Sequence, residues 1–256
     1  MTVRPYIMTI AGFDPSGGAG LLADIKTIES LKCYGVGICT ANTVQNDRKF
    51  LNCYWTPIEV IKEQLTILME RYSVKVVKIG IVEDWNKLLQ IVDFLQGYND
   101  QIKIILDPVL SSSSGYDFEE SPQKDNMRST DLFEEVLNKI YLLTPNYNEI
   151  QKLYPQKNID DTILTIQHRT NLLLKGGHRD GNIGKDQLFT KSGQAFILNP
   201  KTSNISDKHG SGCILSSAIA AYISKGFPIL KACLRAKRFT EQRLSSNPSL
   251  LAYYNV

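Results

Sequence analysis

Short apolar runs alternate with amphipathic stretches along this chain. Ile7-Met8-Thr9-Ile10-Ala11-Gly12 is nearly continuous in apolar character, as in a strand buried on both faces. A glycine-rich segment follows, Asp14-Pro15-Ser16-Gly17-Gly18-Ala19-Gly20. Beyond it, apolar positions recur at helical spacing at Leu21, Leu22, Ile25, Ile28 and Leu31. Gly35 to Ala41 reads as a second strand, so the first forty residues predict a βαβ unit. Thr43 to Tyr54 starts polar, with Gln45-Asn46-Asp47, and then resumes apolar alternation up to Trp55. Pro57 occupies the favoured first-turn position of a helix ending near Arg71. Further strands are expected at Val74 to Gly80, Ile102 to Leu106, Ile140 to Leu143 and Leu172 to Lys175. Helices are expected at Trp85 to Gln96, Asp131 to Asn138 and Asn146 to Leu153. Asp186–Thr190 and Gln194–Leu198 predict a hairpin across Lys191-Ser192-Gly193. Ile214 to Tyr222 is small and apolar enough for a buried helix, and a last helix runs from about Ile229 to Leu244. The serine-rich, charged stretch Ser111 to Arg128 is expected to be a mobile loop.

This alternation predicts an α/β fold with a mainly parallel sheet covered by helices on both faces. Ligands of such sheets bind beyond the carboxyl ends of the strands. Asp14, Gln45, Asp107, Asn146, Glu149 and Lys175 fall at those ends. Singly, each is an ordinary turn or cap residue; their succession points to a site.

The most specific chemistry sits in Asp207-Lys208-His209-Gly210-Ser211-Gly212-Cys213, which opens the Ile214–Tyr222 helix. A helix N-terminus carries N–H groups without intrahelical partners and the positive end of the dipole, so it favours an anion. Glycine lets that anion approach the backbone. The N–H groups of Gly210, Ser211, Gly212 and Cys213 therefore suit a phosphate or transition-state cradle, the alternative on this segment alone being an ordinary helix cap with a buried cysteine. Cys213 is expected to have a lowered thiol pKa and to serve as a base. The Asp14–Gly20 loop is not G-x-G-x-x-G and has no P-loop lysine, so it is not assigned to a nucleotide. His178 and His209, both in glycine-rich turns, read as structural.

At 256 residues the length admits one large domain or two small ones. A net charge of +3 without a long basic run argues against nucleic acid as a partner. Five cysteines, an odd count without C-x-x-C pairing, fit reduced thiols and a cytoplasmic location. Met1 to Ile10 reads as a strand rather than a signal peptide, and no apolar run is long enough to imply a membrane span.

The chain resembles the ribokinase-like superfamily and, within it, the hydroxymethylpyrimidine/phosphomethylpyrimidine kinases of thiamine biosynthesis. The resemblance runs from about Ile7 to Arg243. It is carried by Thr9 to Gly20, Ala23-Asp24-Ile25-Lys26-Thr27, Val44-Gln45-Asn46, Lys78-Ile79-Gly80, Asp107-Pro108-Val109, Thr144-Pro145-Asn146 with Glu149, Lys175-Gly176-Gly177-His178 and His209 to Cys213. It implies one kinase domain over 1–256, a three-layer α/β/α sandwich, and two ATP-dependent phosphorylations, of the pyrimidine's hydroxymethyl group and then of its monophosphate. By the same resemblance, Gln45 binds the ring, with Asp24, Gly12, Ala19 and Val109 nearby. A glutamine amide suits such an edge, since it offers both a donor and an acceptor. Lys175 is expected on the ATP phosphates, and Asp107, Asn146 and Glu149 around Mg²⁺, with Asp107 and Glu149 as the metal-side carboxylates. The family also implies a homodimer. In most of the superfamily the last motif ends in aspartate; here it ends in Cys213, as in the pyrimidine kinases and some pyridoxal kinases. A pyridoxal kinase of the same fold is therefore the alternative reading. A cysteine hydrolase pairing Cys213 with His209 lacks an orienting group beyond Asp207. Phe13 stands where the family has a small hydroxyl residue and is expected to narrow the substrate pocket. Lys208 and Ser211 replace common threonines, and Ser211 keeps the hydroxyl.

Overall fold

The computed structural model describes residues 3–109, 126–177, 184–202 and 205–254. In chain order the elements are β1 (Tyr6–Phe13), α1 (Gly20–Ser30), β2 (Tyr34–Gln45), β3 (Phe50–Trp55), α2 (Ile58–Arg71), β4 (Val74–Ile79), α3 (Trp85–Tyr98), β5 (Lys103–Leu106) and α4 (Asn126–Lys139). They continue as β6 (Leu142–Leu143), α5 (Tyr147–Leu153), α6 (Ile159–Gln167), β7 (Asn171–Leu174), β8 (Asp186–Phe189), β9 (Ala195–Leu198), α7 (Ser211–Ser224) and α8 (Ile229–Leu244).

Among the described residues the strands form one sheet in the order β3-β2-β1-β4-β5-β6-β7-β8-β9. The pairs from β2 through β7 are parallel, while β3, β8 and β9 join by antiparallel hairpins. Side-chain alternation sends each strand's residues into two cores. Met8, Ile10, Val77, Ile79, Ile104 and Leu106 pack with Leu65, Leu95, Val136, Ile150 and Ile166 of α2 to α6. On the opposite face, Ile7, Val76, Ile105, Leu142 and Leu173 pack with Ile28, Ile214, Ala218 and Ala236 of α1, α7 and α8. The result is the expected helix–sheet–helix sandwich.

Several boundaries differ from the sequence expectation. β2 continues four residues past Ala41 to Gln45, because its polar half pairs with β3 as a hairpin. α4 begins at Asn126, before the expected Asp131; the remainder of the Ser111–Arg128 loop, 111–125, lies outside the described residues, as does His178. α6 was not anticipated. Its signals are local: the Asn158 side chain caps Asp161 N–H, and Asp160 and Asp161 occupy the first turn.

Candidate active site

From β1 the chain builds one edge of the sheet through β2 and β3, then crosses to the other side of β1 for β4 and the rest. The carboxyl ends of β1 and β4 therefore mark the topological switch point, where α/β sheets leave a crevice. The crevice here is a cavity of about 440 Å³, within the range of small-molecule sites. Gly12, Ala19, Gln45 and Val109 line one part of it, Asp107, Gly210, Ser211, Gly212 and Cys213 the middle, and Asn146, Glu149 and Lys175 the next part. Apart from Asp14 and Asp24, the candidate site residues from the sequence thus share one cavity.

Two glycines make the middle possible. Gly210, the N-cap of α7, has φ of 77°, and a Cβ there would collide with the Gly18 carbonyl. Gly20, which opens α1, has φ of 55°, and a Cβ would strike the Gly12 carbonyl. Without side chains, Gly20 lets the β1–α1 loop close on itself and Gly210 lets the α7 loop touch it. Asp14 holds the first loop. Its carboxylate accepts the N–H groups of Ser16 (2.9 Å), Gly18 (3.1 Å) and Ala19 (2.8 Å) and lies 3.0 Å from His209 Nε2. Burial opposes the Asp14 charge, but these partners, His209 foremost, hold its carboxyl below the ordinary value of 3.8. His209 is therefore held against Asp14 through Nε2.

Over the start of α7 stands a charged cluster. Lys175 Nζ donates to Asp107 Oδ1 at 2.8 Å and lies 3.7 Å from Glu149 Oε2. A Cβ on Gly212 would lie 3.3 Å from Lys175 Nζ and 3.4 Å from Asp107 Oδ2, so the cluster faces the helix's free N–H groups. Burial weakens the Lys175 charge, yet Asp107 and Glu149 more than restore it and its pKa is raised. Burial likewise opposes the Asp107 charge, but Lys175 and Lys78 keep its pKa low. Glu149 is raised by burial and by Asp107, despite Lys175. Asn146 and Glu149 form a reciprocal capping box at the start of α5, which fixes both at the strand end.

The structure reverses the expectation for the thiol. Cys213 is partly open to the cavity and accepts the Gly20 N–H at 3.4 Å. The protein packed around the sulfur nevertheless pushes the thiol up to about 11; Lys78 and the Gly20 N–H offset part of this, while Asp24 and Asp107 add to it. Desolvation and the two carboxylates thus prevail over the favourable groups around the sulfur.

Asp24 also requires correction. It is neither a cavity-lining residue nor a solvated one. It is fully buried, pairs with Lys78 Nζ at 2.8 Å, and accepts the hydroxyls of Thr9 (2.5 Å) and Ser217 (2.7 Å). Lys78 itself lines the cavity and received no role from the sequence. A signal was available: period two from Val76 puts Lys78 on the buried face toward α1 and α7, where a charge demands a counter-charge. The far end of the cavity was missed as well. There Lys237 Nζ meets Asp186 Oδ2 at 2.9 Å and lies 3.7 Å from Glu241 Oε1, beside Ile205, Thr240 and Leu244.

A family model described as phosphomethylpyrimidine kinase matches residues 14–255. The chain belongs to that family. Membership makes it a kinase, a phosphotransferase. A hydroxymethylpyrimidine/phosphomethylpyrimidine kinase of Aquifex aeolicus is 32% identical over 257 residues, covering 97% of this chain and 98% of the relative. The solved phosphomethylpyrimidine kinase from Clostridium difficile 630 is 32% identical with a TM-score of 0.74, over 93% of this chain and 98% of that one. The pyridoxal kinase of Staphylococcus aureus in complex with ADP shares the fold, with a TM-score of 0.80 at 23% identity over 96% and 89% of the two chains.

Two departures from the family pattern now have a physical account. Phe13, expected to narrow the pocket, is not among the lining residues; it is the Phe13 carbonyl that matters, accepting the Thr43 hydroxyl at 2.7 Å. Lys208 is held by Ser206 Oγ at 2.7 Å and the Ser249 carbonyl at 2.6 Å. For a divalent metal, no group of three or more His, Cys, Asp or Glu residues is gathered among the described residues. Asp107 Oδ1 already accepts from Lys175 and Thr144, and Oδ2 from Ser216. Such a donor set fits Mg²⁺ held by phosphates and waters with one or two carboxylates, the habit of this ion, rather than a protein cage.

Proposed function

We propose that this kinase transfers the γ-phosphoryl group of ATP to the hydroxymethyl oxygen of 4-amino-5-hydroxymethyl-2-methylpyrimidine, and then a second phosphoryl group to the resulting monophosphate. The first step forms the P–O bond to the alcohol, breaks the bond to ADP and releases the alcohol's proton. The observation that carries the reading is the shared cavity lined by Gln45, Cys213 and the N-terminal residues of α7. The activities of the relatives support it.

Phosphoryl transfer depends on positioning and charge neutralisation. The N–H groups of Gly212 and Cys213 are suited to the transferring phosphoryl oxygens. Lys175 supplies a fixed positive charge, and Asp107 keeps it in place. Mg²⁺, held by Asp107 and Glu149 through its waters, would neutralise phosphate charge. Cys213 is the candidate acceptor of the alcohol's proton, and its high pKa makes that role pH-dependent. The lysine-bearing far end of the cavity, at Lys237 and Asp186, is where the rest of the nucleotide would lie. A homodimer rests on the family resemblance and a cytoplasmic location on the reduced cysteines; sedimentation would read the assembly.

The test is ADP release with Mg-ATP and the pyrimidine, with pyridoxal in parallel. Strong preference for the pyrimidine supports the proposal, and conversion of the purified monophosphate supports the second step. Release with pyridoxal alone keeps the kinase and overturns the substrate.

A further inference from the structure

We propose that Thr43 is a positioning residue for substrate choice: its hydroxyl locks the Gln45 amide in one orientation, so that the site accepts an aminopyrimidine edge and rejects the 4-oxo edge. The proposal rests on the pyrimidine reading above.

The register between β1 and β2 slips between Ala11 and Phe13. Such irregularities re-aim backbone and side-chain groups. Here the Phe13 carbonyl accepts the Thr43 hydroxyl at 2.7 Å. A carbonyl oxygen only accepts, and a hydroxyl has one proton. Thr43 therefore has no proton left for Gln45 and can meet it only as an acceptor. Gln45 Nε2 donates to Thr43 Oγ1 at 2.8 Å. With the amide reversed, Oε1 would face an oxygen with no proton between them. The chain of donors thus decides an orientation that distances alone leave ambiguous. Thr43 is 3% exposed, so water does not compete for its lone pairs.

Gln45 lines the cavity, and what its amide has left to offer a ligand is the Oε1 acceptor and the second Nε2 proton. A 4-aminopyrimidine presents the matching edge, an amino donor beside a ring-nitrogen acceptor. The 4-oxo counterpart presents the reverse, a carbonyl acceptor beside an N–H donor. A free glutamine reads either edge by turning over. A glutamine held by Thr43 reads only the first.

Isothermal titration of the wild type, Thr43→Val and Thr43→Ser with 4-amino-5-hydroxymethyl-2-methylpyrimidine and its 4-oxo counterpart tests this. The readout is the ratio of the two dissociation constants, checked by the ratio of kcat/KM in ADP release. In the wild type the amino compound is preferred. Thr43→Val frees the amide, and the preference falls by about tenfold or more. Thr43→Ser keeps the hydroxyl and keeps the preference. If Thr43→Val does not fold, Thr43→Ala removes the same hydroxyl and must show the same loss. A merely structural role weakens both ligands equally; an unchanged ratio in the folded valine or alanine variant overturns the relay and leaves the pyrimidine reading intact. A wild type that binds neither compound overturns both, and the wild-type titration alone reveals it.

Discussion

Removing the carboxylate from Asp24 leaves Lys78 charged and buried. Both side chains are fully buried and 2.8 Å apart. At an effective dielectric of about 20 the gross attraction at that distance is roughly 6 kcal/mol, against a desolvation penalty of several kcal/mol per ion. The intact pair is thus worth little net, but breaking it is expensive. In Asp24→Asn, Lys78 either stays charged or gives up its proton. Neutralising a lysine at pH 7 costs about 4.6 kcal/mol, from a reference pKa of about 10.4. Asp107, whose charge also acts on Lys78, reduces the cost of staying charged. The expected loss at pH 7 is about 3–5 kcal/mol, a fall in Tm of about 6–20 °C for a chain of this size. Lys78→Met should cost less, because Asp24 keeps the Thr9 and Ser217 hydroxyls. Combining the two substitutions should recover part of the loss, as removing both charges strands neither. The pH dependence is the sharper mark. In the wild type the Lys78 pKa is raised, so its contribution is fully present below the unfolded value and is lost only as pH rises through the folded one. In Asp24→Asn the folded value drops below the unfolded one, so the deficit shrinks by up to about 1.4 kcal/mol per pH unit toward pH 10. Urea unfolding followed by circular dichroism from pH 7 to 10 measures both. A deficit under about 1 kcal/mol at pH 7, or a double variant no better than Asp24→Asn, would refute the reasoning.

Three further outcomes follow from the site. With its thiol near 11, Cys213 is about one part in 10⁴ thiolate at pH 7; kcat/KM should climb as pH rises from 7 toward 10, and Cys213→Ala should lower kcat by about 100-fold and flatten the climb. Wild-type turnover in that variant would leave the transfer to the backbone cradle alone. Gly210→Ala, at φ of 77° and against the Gly18 carbonyl, should destabilise by more than the roughly 1–2 kcal/mol of a left-handed residue, whereas Gly97→Ala, with open space around it in α3, should stabilise by about 0.5–1 kcal/mol; thermal melts showing the same sign for both would contradict the geometry. Because the Asp14 pKa is lowered from 3.8, its contribution is present above that value and lost as pH falls below it. The stability gap between wild type and Asp14→Asn should therefore narrow below about pH 4, and a gap constant down to pH 2 would count against it.

By itself the sequence determined the features that local chemistry writes. Period-two and helical spacing marked the βαβ order, the glycines marked the two loops, and Ile229–Leu244 was legible to the residue. Asn146 and Glu149 carried their capping box in plain spacing. The cradle at Gly210–Cys213 and the polar strand ends were readable for the same reason: a turn or a helix start is specified by neighbours in the chain. Partners distant in sequence were decided only by the tertiary structure. Asp24 and Lys78 are 54 residues apart, and only the packing of α1 and α7 on β4 turns two polar residues into a buried pair. The sign of the Cys213 shift is of the same kind, since the dipole belongs to one helix while desolvation belongs to everything packed around it. Thr43 and Gln45 are neighbours in sequence, yet the Phe13 carbonyl that commits the Thr43 proton arrives from another strand. Periodicity tells which face a residue joins; which charges and hydrogen-bond partners it meets there depends on how the layers close.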